Sequence, residues 1–119
     1  MTCSEIQTPK QAEVWLAYLN FKDKPKAGKV RPVLILDEHS DSTVRRVICL
    51  KITTQHPEDG RVDFKIKGWE QCGLKKPSYA RLDQVFEIKT EKLLRNSPLG
   101  VMNNAEFEQI LSYFEEHPK

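Results

Sequence analysis

Arg81 and Asp83 stand two residues apart in the stretch "ARLD" of this 119-residue chain. In a strand, alternate side chains share a face and lie about 6.6–6.8 Å apart. At that spacing a carboxylate that takes up a proton and a guanidinium that holds negative charge can flank one phosphate. The same two residues also fit a polar outer face with a weak ion pair. Arg31 opens the run "RPVLIL". Pro32 pushes it toward extended backbone, and its planar fork can clamp a phosphate through two N–H groups. Just upstream, Lys22, Lys24, Lys26 and Lys29 make with Arg31 five cations in ten residues, against one acid, Asp23. Their combined field would draw a polyanion, although a solvated connection would use the same lysines. In "TTQH" (53–56) the hydroxyls of Thr53 and Thr54 sit where a strand ends and can bind a phosphate oxygen, and His56 titrates near neutral pH. Threonines are also ordinary strand formers, and a loop histidine is often idle.

These side chains need a frame. "AEVWLAYLNF" (12–21) is apolar on both faces and rich in β-branched and aromatic residues, so it reads as a buried strand with Trp15 in the core. Trp69, beside a polar turn, is the aromatic with a chance of exposure and so of stacking on a base. Further strands are expected at 31–36, 44–52 and 61–66, with a polar turn over 37–43 and a loop over 53–60. In the fourth strand Val62, Phe64 and Ile66 alternate. "KGWEQCG" reads as one helical turn stopped by Gly73. In "SYARLDQVFEI" (78–88) a period of two sends Ala80, Leu82, Gln84, Phe86 and Ile88 inward and Arg81 and Asp83 outward. A short helix is expected over 90–96. The last element is a helix. Asn103 suits its N-cap with Glu106 three residues on, Met102 and Phe107 form a staple, and Phe107, Ile110, Leu111 and Phe114 make one apolar stripe. Strands this close together, with no long helix between them, exclude a parallel βαβ sheet. A small antiparallel barrel or half-barrel with a packed C-terminal helix fits.

The composition agrees with one small domain over residues 1–119, with residues 1–10 a loose N-terminus. The net charge of +2 hides an asymmetry: residues 1–81 carry 15 Lys/Arg against 10 Asp/Glu, and residues 82–119 carry 4 against 7. Any anion-binding surface is therefore expected in the first two-thirds. Cys3, Cys49 and Cys72 have no metal-like spacing and read as buried or idle thiols in a reducing compartment. No signal-peptide pattern and no membrane-length apolar run is visible, so a cytoplasmic protein is expected. No phosphate-binding glycine loop, zinc-binding or serine-hydrolase motif is present, and no cofactor is expected.

Five segments, taken in order, resemble the MazF/PemK (Kid-like) family of type II toxin–antitoxin toxins. They are "AEVWLAYLNF", "GKVRPVLIL", "LKITTQ", "ARLDQVFEI" and "PLGVMNNAEFEQILSYF". The resemblance runs from about residue 12 to residue 116 and is most specific at Gly-x-Arg-Pro. It implies a small SH3-like β-barrel, a homodimer with the active site near its interface, and metal-independent cleavage of single-stranded RNA as an mRNA interferase. An acidic antitoxin tail would occupy the same groove. The positions that match the family's functional residues are Arg31, Thr53, Arg81 and Asp83, with Gln84 next to them in the Arg-x-Asp-Gln strand. Two departures stand out. The usual first-strand glycine is Ala12, and the loop before Arg31 is "DKPKAGK", more basic than in relatives that carry a glutamate there. Lys22, Lys24, Lys26 and Lys29 would then line the approach to the RNA groove. The implied reaction is attack of the RNA 2′-hydroxyl on phosphorus, with Asp83 as base, Arg31 and Arg81 stabilising charge, and Thr53 orienting an oxygen. Arg81 is a poor proton donor because guanidinium keeps its proton. The alternative is a non-nuclease protein of the same fold: a CcdB-like gyrase poison, or an inactive member that binds RNA or antitoxin.

Overall fold

The computed structural model describes residues 9–20, 27–40, 44–55, 62–94 and 97–116. Among the described residues six strands, β1 (Glu13–Asn20), β2 (Gly28–Ser40), β3 (Arg45–Thr53), β4 (Asp63–Ile66), β5 (Ser78–Lys89) and β6 (Gly100–Val101), precede one α-helix, α1 (Asn104–Glu116). The sheet order is β4-β5-β3-β2-β1-β6, and all five pairings are antiparallel. The sheet is curled into a half-barrel. This is the mainly β architecture with a C-terminal helix that the sequence implies.

The central strands bury both faces, as their continuous apolar runs require. Leu34, Leu36, Leu50 and Ile52 point to one side and pack with Met102, Phe107 and Ile110. Val33, Ile35, Val47 and Cys49 point to the other and pack with Trp15, Ala17, Leu19 and Leu93. Burying each of Leu34, Leu50 and Ile52 is worth about 1.5–3 kcal/mol against leaving it in water, and all three are essentially inaccessible. Trp15 is in the core as expected, with its Nε1–H donating to Glu13 Oε1 at 2.9 Å. Trp69 is half-buried against the helix-side core.

Four local expectations are corrected. Residues 37–40 are not a turn: β2 runs on to Ser40, pairing Asp37–Ser40 with β3 after a bulge at Leu36. The exposed side chains of Asp37, Glu38 and His39 suit a strand with one face in water. Val62 does not point into the core but is 40% exposed, just ahead of β4. The stretch from Thr90 holds a single 3-10 turn, Thr90–Lys92, and Leu93 then makes a bridge to Ala17. β6, two residues paired with Glu13 and Val14, has no periodicity to announce it.

β5 departs most. Leu50 of β3 faces Val85 and Ile52 faces Ala80, so one β3 residue, Lys51, stands opposite four of β5, Arg81–Gln84. The alternation breaks there. Ala80 and Leu82 belong to the helix-side core, whereas Phe86 and Ile88 pack into the other. Bulges of this kind re-aim side chains within a sheet.

The end of the chain is built as its spacing predicts. Asn103 Oδ1 accepts the Glu106 N–H at 2.8 Å, and the Phe107 N–H donates to the Asn103 carbonyl at 3.0 Å. Glu106 adds something the capping pattern does not contain. Its carboxylate also accepts the backbone N–H groups of Lys67 at 2.7 Å and Gly68 at 3.0 Å, across the molecule. Those residues start the turn 67–73. The turn closes on Gly73 at φ +77°, with the Gly73 N–H donating to the Glu70 carbonyl and the Leu74 N–H to the Trp69 carbonyl. A side chain at Gly73 would run into the backbone of Leu99.

A cationic cleft at the mouth of β2 and β3

Arg31 lies near the start of β2 and Thr53 ends β3. The β2–β3 pairing runs as far as Val33–Lys51. Continued by two residues on each strand, it sets Arg31 beside Thr53, and both line one cleft of about 320 Å³. Two walls form it. One is the strand mouth, with Arg31, Pro32, Lys51, Thr53, Thr54 and Gln55; the other is the segment after the 67–73 turn, with Leu74, Lys75, Lys76 and Ser78. Four of the lining residues are cations, and no carboxylate is among the described residues that line it. Walls of one sign focus field and raise the local concentration of anions.

Thr53 Oγ1 accepts the Gln55 N–H at 3.2 Å, which turns the chain at the strand end and leaves the hydroxyl proton to be donated. Ser78, almost wholly buried, donates from Oγ to the Lys76 carbonyl at 2.8 Å and shapes the opposite wall. The cleft can therefore offer guanidinium, ammonium and hydroxyl donors to one anionic group.

The other expected site residues are elsewhere. Arg81 does not face outward: it is 5% exposed, and its guanidinium meets Asp63 Oδ2 at 3.3 Å. Arg81 and Asp63 are direct partners across β4 and β5, and the break in alternation turns the arginine into that contact. Asp83 is exposed, as expected, but is not among the residues lining the cleft; nor are half-buried Gln84 and exposed Lys29. Lys22, Lys24, Lys26 and His56 lie outside the described residues. Lys51, Lys75, Lys76 and Ser78 escaped sequence reasoning. The adjacent lysines of "GLKKPS", following a helix-stopping glycine, were the available signal for two of them.

The two described cysteines take no part. Burial pushes the Cys49 thiol up to about 12, and burial, then the nearby Glu106 charge, pushes Cys72 up to about 11. Neither is a thiolate nucleophile near neutral pH. No helix among the described residues is long and apolar enough to cross a membrane.

Fold and cleft together define a small antiparallel half-barrel with a cation-lined cleft at the mouth of β2 and β3. The chain belongs to the family of PemK-like, MazF-like toxins of type II toxin–antitoxin systems, which matches residues 10–117. Its fold is similar to that of a solved "Endoribonuclease in complex with its cognate antitoxin from Mycobacterial species", with a TM-score of 0.59 and 17% identity, covering 94% of this chain and 99% of that one. At that identity the likeness speaks for the fold. No curated protein matches the chain.

Proposed function

We propose that this toxin is a metal-independent endoribonuclease that cleaves single-stranded RNA in the cytoplasm as a homodimer, and that an acidic antitoxin blocks it. The observation that carries the reading is Arg31 and Thr53 together in a cleft with four cations and no lining carboxylate. The fold it shares with an endoribonuclease solved with its antitoxin supports both partners. The nucleophile is internal to RNA. The 2′-oxygen forms a bond to phosphorus, the bond to the 5′-oxygen breaks, and a 2′,3′-cyclic phosphate results. Arg31 holds the phosphoryl oxygens, Thr53 donates to one of them, and Asp83 takes the 2′ proton while water protonates the leaving oxygen. Arg81, held by Asp63, does not touch the phosphate and instead positions the β5 segment that carries Asp83.

The test is incubation of the purified protein with mixed-sequence RNA in EDTA, alongside Arg31→Ala. Cleavage is expected from the wild type, with a loss of about 10²–10³ in rate for the variant at unchanged folding. A second reading has one observation in its favour: Asp83 is not among the cleft's lining residues. A member that binds RNA without cutting it would leave the RNA intact yet retain it, with Arg31→Ala weakening retention.

A further inference from the structure

Arg81 is sealed against Asp63, so the charge it was expected to bring to a phosphate must come from elsewhere. Lys51 is placed to bring it. Its neighbours Leu50 and Ile52 are buried in the helix-side core, so strand alternation turns the Lys51 side chain away from that core, and Lys51 is among the residues lining the cleft. On one side its backbone is fixed by pairing with Val33, two residues from Arg31. On the other side β5 bows out over Arg81–Gln84, the stretch that carries Asp83. Lys51 thus stands between Arg31 and the proposed base. Lys75 and Lys76 face it from the far wall.

We propose that Lys51 is a catalytic cation of this cleft, binding the reacting phosphate beside Arg31, and that Lys75 and Lys76 bind a neighbouring phosphate of the same RNA strand. The proposal rests on the cleft being the RNA site and assigns its charges. The lining favours a phosphate backbone over a peptide. It holds cations, hydroxyls and an amide, but its apolar members are Ile52, which is 1% exposed, and half-buried Pro32 and Leu74. A peptide read through apolar anchors or strand addition needs pockets or a free strand edge, and the cleft walls supply neither; an acidic antitoxin tail would meet the same cations that meet the phosphates. Nor is any aromatic residue among those lining the cleft, so these contacts read phosphate and not base.

The experiment uses the full chain and two substitutions that keep length, Lys51→Gln and the pair Lys75→Gln with Lys76→Gln. Binding is followed by fluorescence anisotropy on a 2′-O-methyl RNA oligonucleotide, which cannot be cleaved, across a salt series. Cleavage is followed on the unmodified RNA at single turnover. Circular dichroism melts identify variants that misfold, and Lys51→Arg serves as the conservative rescue. Lys51→Gln is expected to slow cleavage by about 10²–10³ with a smaller loss in binding, and Lys51→Arg to recover most of the rate. The Lys75/Lys76 variant is expected to raise KM far more than it lowers kcat. It should also flatten the plot of log affinity against log salt by about 0.7 per lost contact. A Lys51→Gln protein cleaving within a few-fold of wild type overturns the catalytic role. If the wild type cuts no RNA, the nuclease reading and the catalytic role fail together, and the salt slopes still decide the binding roles. Unchanged slopes in both variants overturn the phosphate assignment. So does weakening of a polyglutamate peptide with RNA binding intact, which would make the cleft a protein site.

Discussion

Ala12 holds φ at +72°, a left-handed conformation in which a β-carbon crowds the following carbonyl. The family resemblance implies a glycine at this position, and the backbone fits that residue. Ala12→Gly should stabilise the protein by about 0.5–1 kcal/mol, because relief of strain outweighs the added freedom of the unfolded chain. Thermal denaturation should show a rise of a few degrees. Arg81 calls for a different experiment. Breaking a buried ion pair by removing one partner costs about 3–5 kcal/mol, so Arg81→Ala and Asp63→Asn should each unfold at much lower denaturant. The double variant Arg81→Met/Asp63→Leu should lose less than the two single losses combined. Near-additive losses would mean that the pair is not a unit. Asp83 is exposed, so Asp83→Asn should change stability by no more than about 1 kcal/mol and cut RNA cleavage about 10²–10⁴-fold, the share general-base catalysis supplies. Full activity in that variant would remove the base from the mechanism. Sequence reasoning found the types of all three residues. It did not find the burial of Arg81, because a strict period of two cannot register four residues of β5 facing one of β3.

At the level of elements, the boundaries followed local chemistry wherever that chemistry was short-ranged. The N-cap at Asn103, the stripe on α1 and the glycine stop at 73 are contacts within a few residues, and each is where its spacing sets it. The partners of Glu106 lie 39 and 38 residues away, at Lys67 and Gly68, and nothing in the spacing points to them. β6 was missed for a related reason: two residues cannot show a period, and Gly100–Val101 is a strand because β1 pairs with it. Glu106 is buried and bonds three donors outside its own backbone, on Lys67, Gly68 and Asn103. Hydrogen bonds to a charged group contribute about 1.5–3 kcal/mol each, shared here among coupled partners. Glu106→Ala should therefore cost about 2–4 kcal/mol, and Glu106→Gln less. Amide exchange at Lys67 and Gly68 should quicken in both, and slow exchange retained there would show that the turn stands without the helix.

For the whole molecule, the sheet buries residues on both faces and encloses two thiols. Cys49 and Cys72 keep their protons in the folded protein to about pH 12 and 11, whereas an unfolded thiol releases its proton near 9. Between those values the native state binds more protons than the unfolded one, so stability is complete below about pH 9 and falls as pH rises through the folded values. Urea midpoints measured from pH 8 to 10.5 should decline, and Cys49→Val should flatten part of that decline. Alkylation at pH 8 should reach both thiols only in denaturant. The barrel class was legible because strand-length apolar runs recur at short intervals. The cleft was legible only on the strand side, where Arg31 lies near the start of β2 and Thr53 ends β3. Its lysine wall depends on a turn folding back, which no periodicity encodes.

That wall has a bearing on how the protein is made. Lys75 and Lys76 follow a turn whose backbone is fastened by Glu106, from a later part of the chain. A ribosome extruding this protein releases Arg31, Thr53 and both lysines well before the carboxylate that braces them. Until Glu106 emerges and α1 docks, the nascent chain carries the charges of the cleft without its fixed geometry. If the proposed RNA cleavage is its activity, the order of synthesis withholds a finished cleft from the message still being read.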